Sequence, residues 1–310
     1  DRIGGSLEYY HKKATDLFAT SPVDYTAVAS PTITKNVATV AGNGFDLSLN
    51  SINIKGRINW STAFNLSYNN DRVKEYYRTN YRGSNLVGGG TGISAIVGKP
   101  VYALYAYRWA GLDPVTGDPQ GYFNGQLSKD YAALTGSSVL VDDLAYIGPA
   151  RPQFFGSMGN TLRWKGLSLI IRISYKFGYY IKRGSLNYSL LYANRNGHPD
   201  YALRWQKPGD EQYTNVPSMI YPAISNRDNF YNNSEILMQK GDHIRLQYIT
   251  LSYTLNKGPR ILPFRSAQFS LNMYCPRILW RANKYGIDPD YSETGILPSN
   301  SYTAGLKVDF

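Results

Sequence analysis

The sequence of 310 residues has no long hydrophobic run and contains one cysteine. No stretch reaches the roughly 18 consecutive apolar residues that a membrane-spanning helix needs. The segment 167–180 comes nearest, but Arg172 and Lys176 interrupt it. Cys275 cannot form an internal disulfide bond alone, so it indicates no redox compartment. The first residues contain no basic segment followed by an apolar core, and we therefore expect a mature form or a fragment.

Histidine is also scarce, which excludes most catalytic and metal-binding motifs. His11, His198 and His243 show neither the HExxH spacing nor a close group of acidic residues. Asp242 and His243 are adjacent and resemble an acid/base pair, but neighbours along a strand face opposite sides. A hydrolase is therefore the least favoured hypothesis, and we expect no enzyme activity and no protein-held metal site.

The charge is strongly positive without being clustered. The formal net charge is +11, yet the 33 Lys and Arg residues are scattered along the chain, and we expect no nucleic-acid partner. The mean hydropathy of −0.37 is that of a soluble protein. A membrane β-barrel alternates lipid-facing apolar residues with polar residues facing the lumen, so this average does not exclude a membrane.

Alternation with period two is the strongest positive signal. It is clear in segments 45–50, 57–69, 167–179, 244–255, 267–274 and 301–310, and weaker in 3–15 and 154–164. Within 244–255 the phase changes at Tyr248, which predicts a β-bulge. Pro276 lacks a backbone donor, so the strand before it should end by that point. The count is about eight antiparallel strands.

The connections between these strands alternate between short and long. Turns at 55–56 and 165–166 are tight and segment 256–264 is fairly short, whereas 18–39, 72–153, 182–234 and 279–300 are long. A soluble β-sandwich, in which the aromatics fill the core, is the competing interpretation. Long loops at one end and short turns at the other are typical of outer-membrane barrels, where the short turns are periplasmic and the long loops extracellular. The fold class expected is all-β: an antiparallel transmembrane β-barrel.

The alternation assigns one face of each strand to lipid. The residues expected there are Trp60, Phe64, Leu66, Leu169, Ile171, Ile173, Leu251, Tyr253, Phe269, Leu271, Tyr302, Leu306 and Val308. The opposite positions are mostly small or polar and suit a broad, hydrated or plugged lumen. An unpaired first strand would not be tolerated in lipid, so we expect a partial barrel completed by other residues.

Several phrases, taken in order, resemble a known family. They include EYYHKKATDL (8–17), AGLDPVTGDPQGYFNG (110–125), RPQFFGSMGNTLRWKGLSL (151–169), KGDHIRLQYITLSYTL (240–255), NKYGIDPD (283–290) and YTAGLKVDF (302–310). The ordered set, which spans nearly the whole chain, is similar to the C-terminal barrel portion of the SusC/RagA family of TonB-dependent outer-membrane transporters. One departure is MYCPRIL (273–279), where that family commonly has a Gly-x-Asn-Leu phrase.

The resemblance implies more than the residues show by themselves. Residues 1–310 would form the C-terminal part of one barrel domain, about the last eight of 22 strands, in a multi-pass protein of the bacterial outer membrane. It implies a plug and a TonB-contacting segment outside this sequence, a SusD-like surface lipoprotein over the mouth, and a glycan or peptide oligomer as cargo. It also implies that Phe310 is part of a signal for barrel assembly. The alternative is a surface-binding or adhesion barrel without active transport.

Aromatic and basic residues in the long loops are candidates for cargo contact. They are Tyr107, Arg108, Trp109, Arg204, Trp205 and Trp280. The same residues would also serve to pack the loops onto each other or onto a lid protein. Two acidic stretches, 113–125 and 283–290, resemble calcium loops without the EF-hand spacing. Turn formation is the competing explanation for both, and loop-bound calcium stays open while no other cofactor is expected.

Overall fold

The computed structural model describes residues 2–22, 32–77, 82–88, 90, 92–195, 197–256, 265–291 and 297–309. Its strands are β1 (Ile3–Pro22), β2 (Thr32–Ile54), β3 (Ile58–Tyr76), β4 (Ala103–Tyr107), β5 (Gly111–Leu112), β6 (Pro119–Phe123), β7 (Gln126–Ser128), β8 (Leu144–Pro149), β9 (Phe154–Trp164), β10 (Leu167–Phe177), β11 (Tyr180–Lys182), β12 (Met238–Lys240), β13 (His243–Asn256), β14 (Ser266–Tyr274), β15 (Ile278–Arg281) and β16 (Ser301–Asp309). The α-helices are α1 (Tyr131–Thr135), α2 (Tyr188–Asn194) and α3 (Ser225–Asn232). Single 3₁₀ turns lie at Gly83–Asn85, Val141–Asp143, Pro199–Leu203, Asp210–Gln212, Glu235–Leu237 and Pro289–Tyr291. Within these described ranges, no helix is long and apolar enough to cross a membrane.

Eight long strands form one antiparallel sheet, which we call the wall. Their order is β1-β2-β3-β9-β10-β13-β14-β16, and each strand pairs with its predecessor in this order. In the described residues, β1 and β16 are the two edges of the wall and do not pair with each other. The sequence-based prediction of an antiparallel all-β fold is confirmed.

Short and long connections alternate around the wall, as the sequence predicts. The turn between β9 and β10 consists of Lys165 and Gly166, whose φ angles are 45° and 86°. Two consecutive positive φ angles are the geometry of a two-residue hairpin turn that matches the strand twist. A Cβ at Gly166 would lie 2.6 Å from the carbonyl oxygen of Thr254, so glycine also permits a close backbone approach.

One predicted loop is largely strand, and that prediction is wrong. The segment 18–39 lacks clear alternation, yet β1 continues to Pro22 and β2 begins at Thr32. Phe18 pairs with Asn36 after two register shifts between Ala14 and Phe18. Main-chain pairing continues here without a regular apolar face. Strand ends that extend beyond the lipid band do not need an apolar face. Side-chain alternation therefore could not reveal it.

The predicted bulge in β13 is confirmed. The register of β10 against β13 shifts between Arg172, which pairs with Tyr248, and Ile173, which pairs with Leu246, leaving Gln247 as the extra residue. β14 ends at Tyr274, as expected from Pro276, and β15 resumes the pairing with β13 beyond this break. Because the extra residue is Gln247, the side chain of Tyr248 shares the face of Arg172.

The buried core lies mostly in the long connections. One cluster joins Tyr105 and Tyr107 of β4 to Leu144 of β8 and to Leu134 of α1, and Phe230 of α3 completes it. Phe230 stacks on Tyr107 with ring centroids 5.7 Å apart. The described parts of the segments 82–153 and 178–242 therefore pack into one loop domain at the end of the wall opposite the tight turns.

Candidate functional site

The two faces of the wall differ in polarity. Residues directly opposite each other in an antiparallel pair share a face, so the register traces rows across the whole sheet. One row runs through Trp60, Leu162, Leu169, Leu251, Leu271 and Ala304. The next row towards the tight turns runs through Ile58, Trp164, Leu167, Tyr253, Phe269 and Leu306. This apolar face is called the outer face below.

Aromatic side chains lie at both ends of the outer face. Near the tight turns are Trp60, Trp164, Tyr253 and Phe269, and near the loop domain one row contains Tyr9, Phe45, Tyr68, Phe154 and Phe177. From Ile58 to Tyr68 is ten residues along a strand, about 33 Å, or roughly 23 Å along the normal at a tilt of 45°. That height matches the apolar band of about 25 Å in outer-membrane barrels.

All the residues predicted to face lipid lie on the outer face. The strand register puts Phe64 in the same row as Ile173, and Ile171 in the same row as Tyr302. Val308 pairs with Ala267 on the same face. Contact with lipid itself stays a prediction. The proposed assembly signal, Phe310, lies outside the described residues.

The inner face of the wall is polar. One row contains Ser61, Thr161, Ile170, Thr250, Asn272 and Thr303. The hydroxyl of Thr250 donates to Oδ1 of Asn272 at 2.8 Å. Arg172, which interrupts the apolar run in the sequence, lies on this face with its guanidinium 5.9 Å from the Tyr248 ring. Charged side chains on this side avoid the outer face, as the sequence predicts.

A groove opens on the loop domain beside the β4–β8 sheet. It has a volume of about 960 Å³, within the range of small-ligand sites. Apolar side chains from Ile96, Val141, Leu144 and Ala145 line part of it. The remaining lining is aromatic and charged, and two of the predicted cargo contacts, Arg108 and Trp109, belong to it.

Arg108 and Trp109 are held by main-chain contacts at the end of β4. The Arg108 guanidinium donates to the carbonyl oxygens of Asp142 at 3.1 Å and Leu144 at 3.5 Å. The backbone N–H of Trp109 donates to Oε1 of Glu235 at 2.9 Å. The Trp109 indole stacks on Phe230 with centroids 6.4 Å apart. Both residues are therefore fixed in position while Arg108 stays exposed to the groove.

Charges of both signs line the groove without pairing with each other. Lys99 places its ammonium 4.1 Å from the centre of the Tyr146 ring, and the Arg108 guanidinium donates to carbonyl oxygens. Asp142 is exposed, and Oδ2 of Asp143 accepts the N–H of Leu140. No ion pair joins these groups within the part of the chain that the structure describes.

Tyr105, one of the groove-lining residues, has a buried hydroxyl. Its side chain is 2% exposed, and its hydroxyl has no hydrogen-bond partner in the described structure. Burial, together with the neighbouring Tyr146 phenol, raises the pKa of Tyr105 to about 12. The phenol is therefore neutral at physiological pH and keeps a free hydrogen-bond donor.

The other predicted cargo residues lie elsewhere. Tyr107 is buried beneath the groove in the aromatic core. Trp280 pairs with Ile244, which places it on the outer face, and its ring lies 6.2 Å from that of Phe177. The structure therefore brings only part of the predicted set together.

Arg204 and Trp205 support the loop domain. The Trp205 indole N–H donates to Oε2 of Glu211 at 3.1 Å. A Cβ at Gly117 would meet the same indole at 2.3 Å, and the φ of 68° at Gly117 also favours glycine. The Arg204 guanidinium lies 4.1 Å from the Tyr201 ring. These contacts hold turns of the loop domain together.

A cluster of basic and acidic side chains, which we call the anchor, fastens the segment 283–291 to the inner face of the wall. The anchor consists of Lys176, His243 and Arg245 from the wall and Asp288 and Asp290 from the segment. Asp290 accepts from Nζ of Lys176 at 2.7 Å and lies 3.3 Å from Nε2 of His243 and 3.2 Å from the Arg245 guanidinium. Asp288 pairs with Arg245, which also donates to the carbonyl oxygen of Pro276.

The Asp290 carboxylate of the anchor is ionised. Burial alone would raise the pKa of Asp290, but the hydrogen bonds from His243 and Lys176 and their charges outweigh it and hold that pKa well below its usual range. Sequence reasoning missed this cluster. The available signal was the pairing of an Asp-x-Asp phrase with basic residues on an otherwise polar strand face.

In the two acidic stretches considered for calcium, the carboxylates form ion pairs and hydrogen bonds with other groups of the protein. Asp113 pairs with Lys129 at 2.6 Å and accepts the N–H groups of Val115 and Thr116, while Asp118 pairs with Arg227 at 2.8 Å. The hydrogen bonds from Lys129 and Val115 lower the pKa of Asp113 to about 2. Among the described residues, no group of three or more His, Cys, Asp or Glu side chains could hold a metal ion.

An apolar outer face with two aromatic belts, a polar inner face and loops at one end define a segment of a transmembrane β-barrel wall. No protein-family model matches the chain. The chain is 23% identical over 95% of its length to TonB-dependent receptor P39 of Formosa agariphila, a match that covers 31% of that receptor. The chain thus spans about a third of the length of this relative.

Solved structures show the same fold. The RagAB peptide transporter superposes with a TM-score of 0.69 at 21% identity, covering 100% of this chain and 33% of that one. The RagAB peptide importer in its closed-closed state gives 0.71 at 21% identity and covers 34% of that chain. The resemblance to the C-terminal portion of SusC/RagA-type barrels, and the prediction of a multi-pass outer-membrane barrel, are confirmed at the level of the fold. The total of 22 strands stays a prediction.

Proposed function

We propose that this chain forms part of a TonB-dependent importer that carries an oligomeric nutrient, glycan or peptide, across the bacterial outer membrane. The observation that carries the proposal is the similarity to a TonB-dependent receptor over 95% of the chain, in a fold shared with RagAB. The wall supports it with an apolar outer face of about the height of the lipid band and a polar inner face. The loop domain supports it with a groove of about 960 Å³.

The importer is proposed to work as a complex of the SusCD type. A SusD-like surface lipoprotein would close over the loop domain, and TonB would act through an N-terminal plug outside this sequence. Exposed aromatics on the loop domain favour a protein partner: Tyr213 is 89% exposed and Tyr221 is 79% exposed. The RagAB importer is described in both open-open and closed-closed states, which is consistent with a moving lid.

Uptake in the native bacterium tests the proposal. Cells with and without a functional TonB are given fluorescently labelled oligosaccharides and peptides, and accumulation inside the outer membrane is measured. We expect accumulation of at least one cargo class in the intact strain and its loss both without TonB and without the gene for this chain. Equal accumulation in all strains, across both cargo classes, would refute import.

The second candidate is a binding or adhesion barrel without active transport. It is favoured by the size of the loop domain, which has its own buried core. In the same strains this alternative predicts surface binding that is unchanged by loss of TonB, with no accumulation inside. Surface binding and accumulation therefore separate the two functions.

A further inference from the structure

The outer face carries two cations beyond its aromatic row near the loop domain. On β1, β2 and β3 the register continues past that row without a shift as far as Lys13, Ala41 and Arg72, which lie opposite one another on the same face. Lys13 and Arg72 are both exposed. β1 and β3 lie about 10 Å apart, and because the residue between them is an alanine, no third long side chain separates the two cations.

These cations have no anionic partner in the described structure. Neither Lys13 nor Arg72 takes part in an ion pair among the described residues. The Arg72 guanidinium donates to the carbonyl oxygen of Gly98 at 3.3 Å, which positions it without neutralising it. Glu75, three residues further along β3, accepts from two hydroxyl groups instead. The pair of cations is therefore available to an anion from outside the described residues.

A row of imidazole and amide side chains separates the cations from the aromatic row. It consists of His11, Asn43 and Asn70, which lie opposite one another on β1, β2 and β3. Amide groups donate and accept hydrogen bonds, as sugar hydroxyls do. Together with Lys13 and Arg72, these three residues are called the head-group patch below.

The heights of the two rows match the polar layer of a bilayer. Side chains on one face of a strand repeat every two residues, about 6.7 Å along the strand, or roughly 4.7 Å along the membrane normal at a tilt of 45°. The amide row thus lies about 5 Å and the cation row about 9 Å beyond the aromatic row. The polar layer adds about 5–8 Å to each side of the hydrocarbon core. The cations therefore lie at the outer part of the head-group layer.

The order of aromatic row, amide row and cations distinguishes between lipids. In a glycerophospholipid the phosphate is joined to the same glycerol as the acyl chains, which keeps it close to the aromatic row. In a phosphorylated glycolipid the sugar rings separate the acyl chains from the phosphates. A sugar ring would then lie level with the amide row, and a phosphate level with Lys13 and Arg72, where charge-assisted hydrogen bonds are the strong ones.

The head-group patch belongs to one part of the wall. On the far side of the aromatic row, next to Phe177, the Asp242 carboxylate accepts the N–H of Gly178 at 2.7 Å. A carboxylate at that place would repel a phosphate, whereas the cations of β1 and β3 attract one.

We propose that the head-group patch binds a phosphorylated glycolipid of the outer leaflet. Lys13 and Arg72 hold a phosphate, His11, Asn43 and Asn70 meet the sugar hydroxyls, and the acyl chains lie along the apolar outer face. The proposal goes beyond import and does not depend on it, because the patch needs only a barrel whose loop domain lies outside the cell. It commits to a phosphate carried by a lipid.

The test uses the natural protein, purified from the outer membrane, stripped of lipid in detergent and titrated by native mass spectrometry. The probes are lipid A with two phosphates, dephosphorylated lipid A and phosphatidylglycerol, with inorganic phosphate as a competitor. An interaction with a Lys or Arg near an anionic lipid surface corresponds to about a fivefold change in affinity. We expect lipid A to bind about 25-fold more tightly than its dephosphorylated form, and more tightly than phosphatidylglycerol.

Variants locate the binding. Lys13→Gln and Arg72→Gln should each weaken binding of lipid A about fivefold, the double variant about 25-fold, and none should change binding of the dephosphorylated form. Lys12→Gln is the matched control, since Lys12 precedes Lys13 on β1 but faces inward, with its ammonium 4.7 Å from the centre of the Tyr10 ring. Arg72→Lys keeps the charge and should retain most of the affinity. Heat-modifiable migration shows which variants are folded, and the single variants decide the matter if the double variant is not.

Three outcomes would overturn the inference. The first is equal binding of lipid A by the folded Lys13 and Arg72 variants and by the parent. The second is binding of phosphatidylglycerol as tight as that of lipid A, which would indicate a general anionic-lipid surface. The third is displacement of lipid A by millimolar inorganic phosphate, which would indicate a site for the free anion.

Discussion

At the scale of single residues, the anchor shows how a few charges can position a whole segment. Asp290 serves three basic groups at once, and the side chains of His243 and Arg245 are almost completely buried. Removing the Asp290 carboxylate takes one acceptor away from the buried side chains of His243 and Arg245 and leaves Arg245 with Asp288, and losing one member of a buried pair costs more than the original pair contributed.

We expect Asp290→Asn to release the segment 283–291. The loss should be on the order of 2–3 kcal/mol of local stability, below that of a fully buried pair because Asp290 keeps 24% of its side chain exposed. Hydrogen–deuterium exchange of 283–291 measures it. Asp309→Asn is the control, since the Lys307–Asp309 pair is exposed. Equal protection of 283–291 in Asp290→Asn and the parent would refute the anchor.

The outer face is tested by a single charge. Leu306→Arg should impair assembly, because an arginine facing lipid costs about 2–4 kcal/mol at mid-membrane and less near the interface. Thr303→Arg places the same residue on the inner face of the same strand and should assemble. Heat-modifiable migration and surface yield are the measurements. Normal assembly of the Leu306 variant would contradict the assigned faces.

At the scale of elements, the bulge in β13 keeps two half-strands in phase with the wall. Gln247 is the extra residue, and its side-chain amide donates to the Ser174 hydroxyl at 2.6 Å. Without the bulge, all residues on one side of it would exchange faces, because the side-chain period of a strand is two.

Deletion of Gln247 should therefore prevent assembly. Either Ile249, Leu251 and Tyr253 or the residues before the bulge would turn to the wrong side of the wall. Gln247→Ala keeps the backbone count and should assemble with only a small loss of stability, since it removes one hydrogen bond. Outer-membrane yield of the two variants is compared, and equal yields would show that register is not fixed here.

The alternating parts of the wall strands were predictable, whereas the ends of β1 and β2 and the loop elements were not. Alternation identifies the strands because the two faces of each strand meet different environments, and successive side chains point to opposite faces. The loop domain depends on contacts between distant segments, such as Trp109 with Glu235 and Asp118 with Arg227, which no local pattern encodes. For the same reason, residue type alone predicted Arg108, Trp109 and Trp205 as cargo contacts. It could not show that Arg108 and Trp109 line the groove while Trp205 packs within the loop domain.

At the scale of the whole molecule, the wall is an open sheet. The β1 edge carries outward apolar side chains that are highly exposed: Leu7 is 70% and Tyr9 is 72% exposed. An open edge leaves main-chain donors and acceptors unpaired, which lipid does not tolerate and which promotes pairing between copies.

The chain expressed alone should therefore fail to form a stable barrel. We expect the 310 residues, refolded in detergent, to give mixed oligomers on size-exclusion chromatography and no heat-modifiable band. Co-refolding with the N-terminal barrel part that we propose should restore a single species. A heat-modifiable monomer from the chain alone would show that β1 and β16 close on each other.

The anchor also has a consequence for engineering. Because two aspartates of the segment 283–291 pair with three basic residues of the wall, five side chains form the charged part of its attachment. A designer could graft a foreign loop onto this barrel by retaining those five residues and replacing the rest. Recognition could then be exchanged between scaffolds while the strands that face the bilayer stay unaltered.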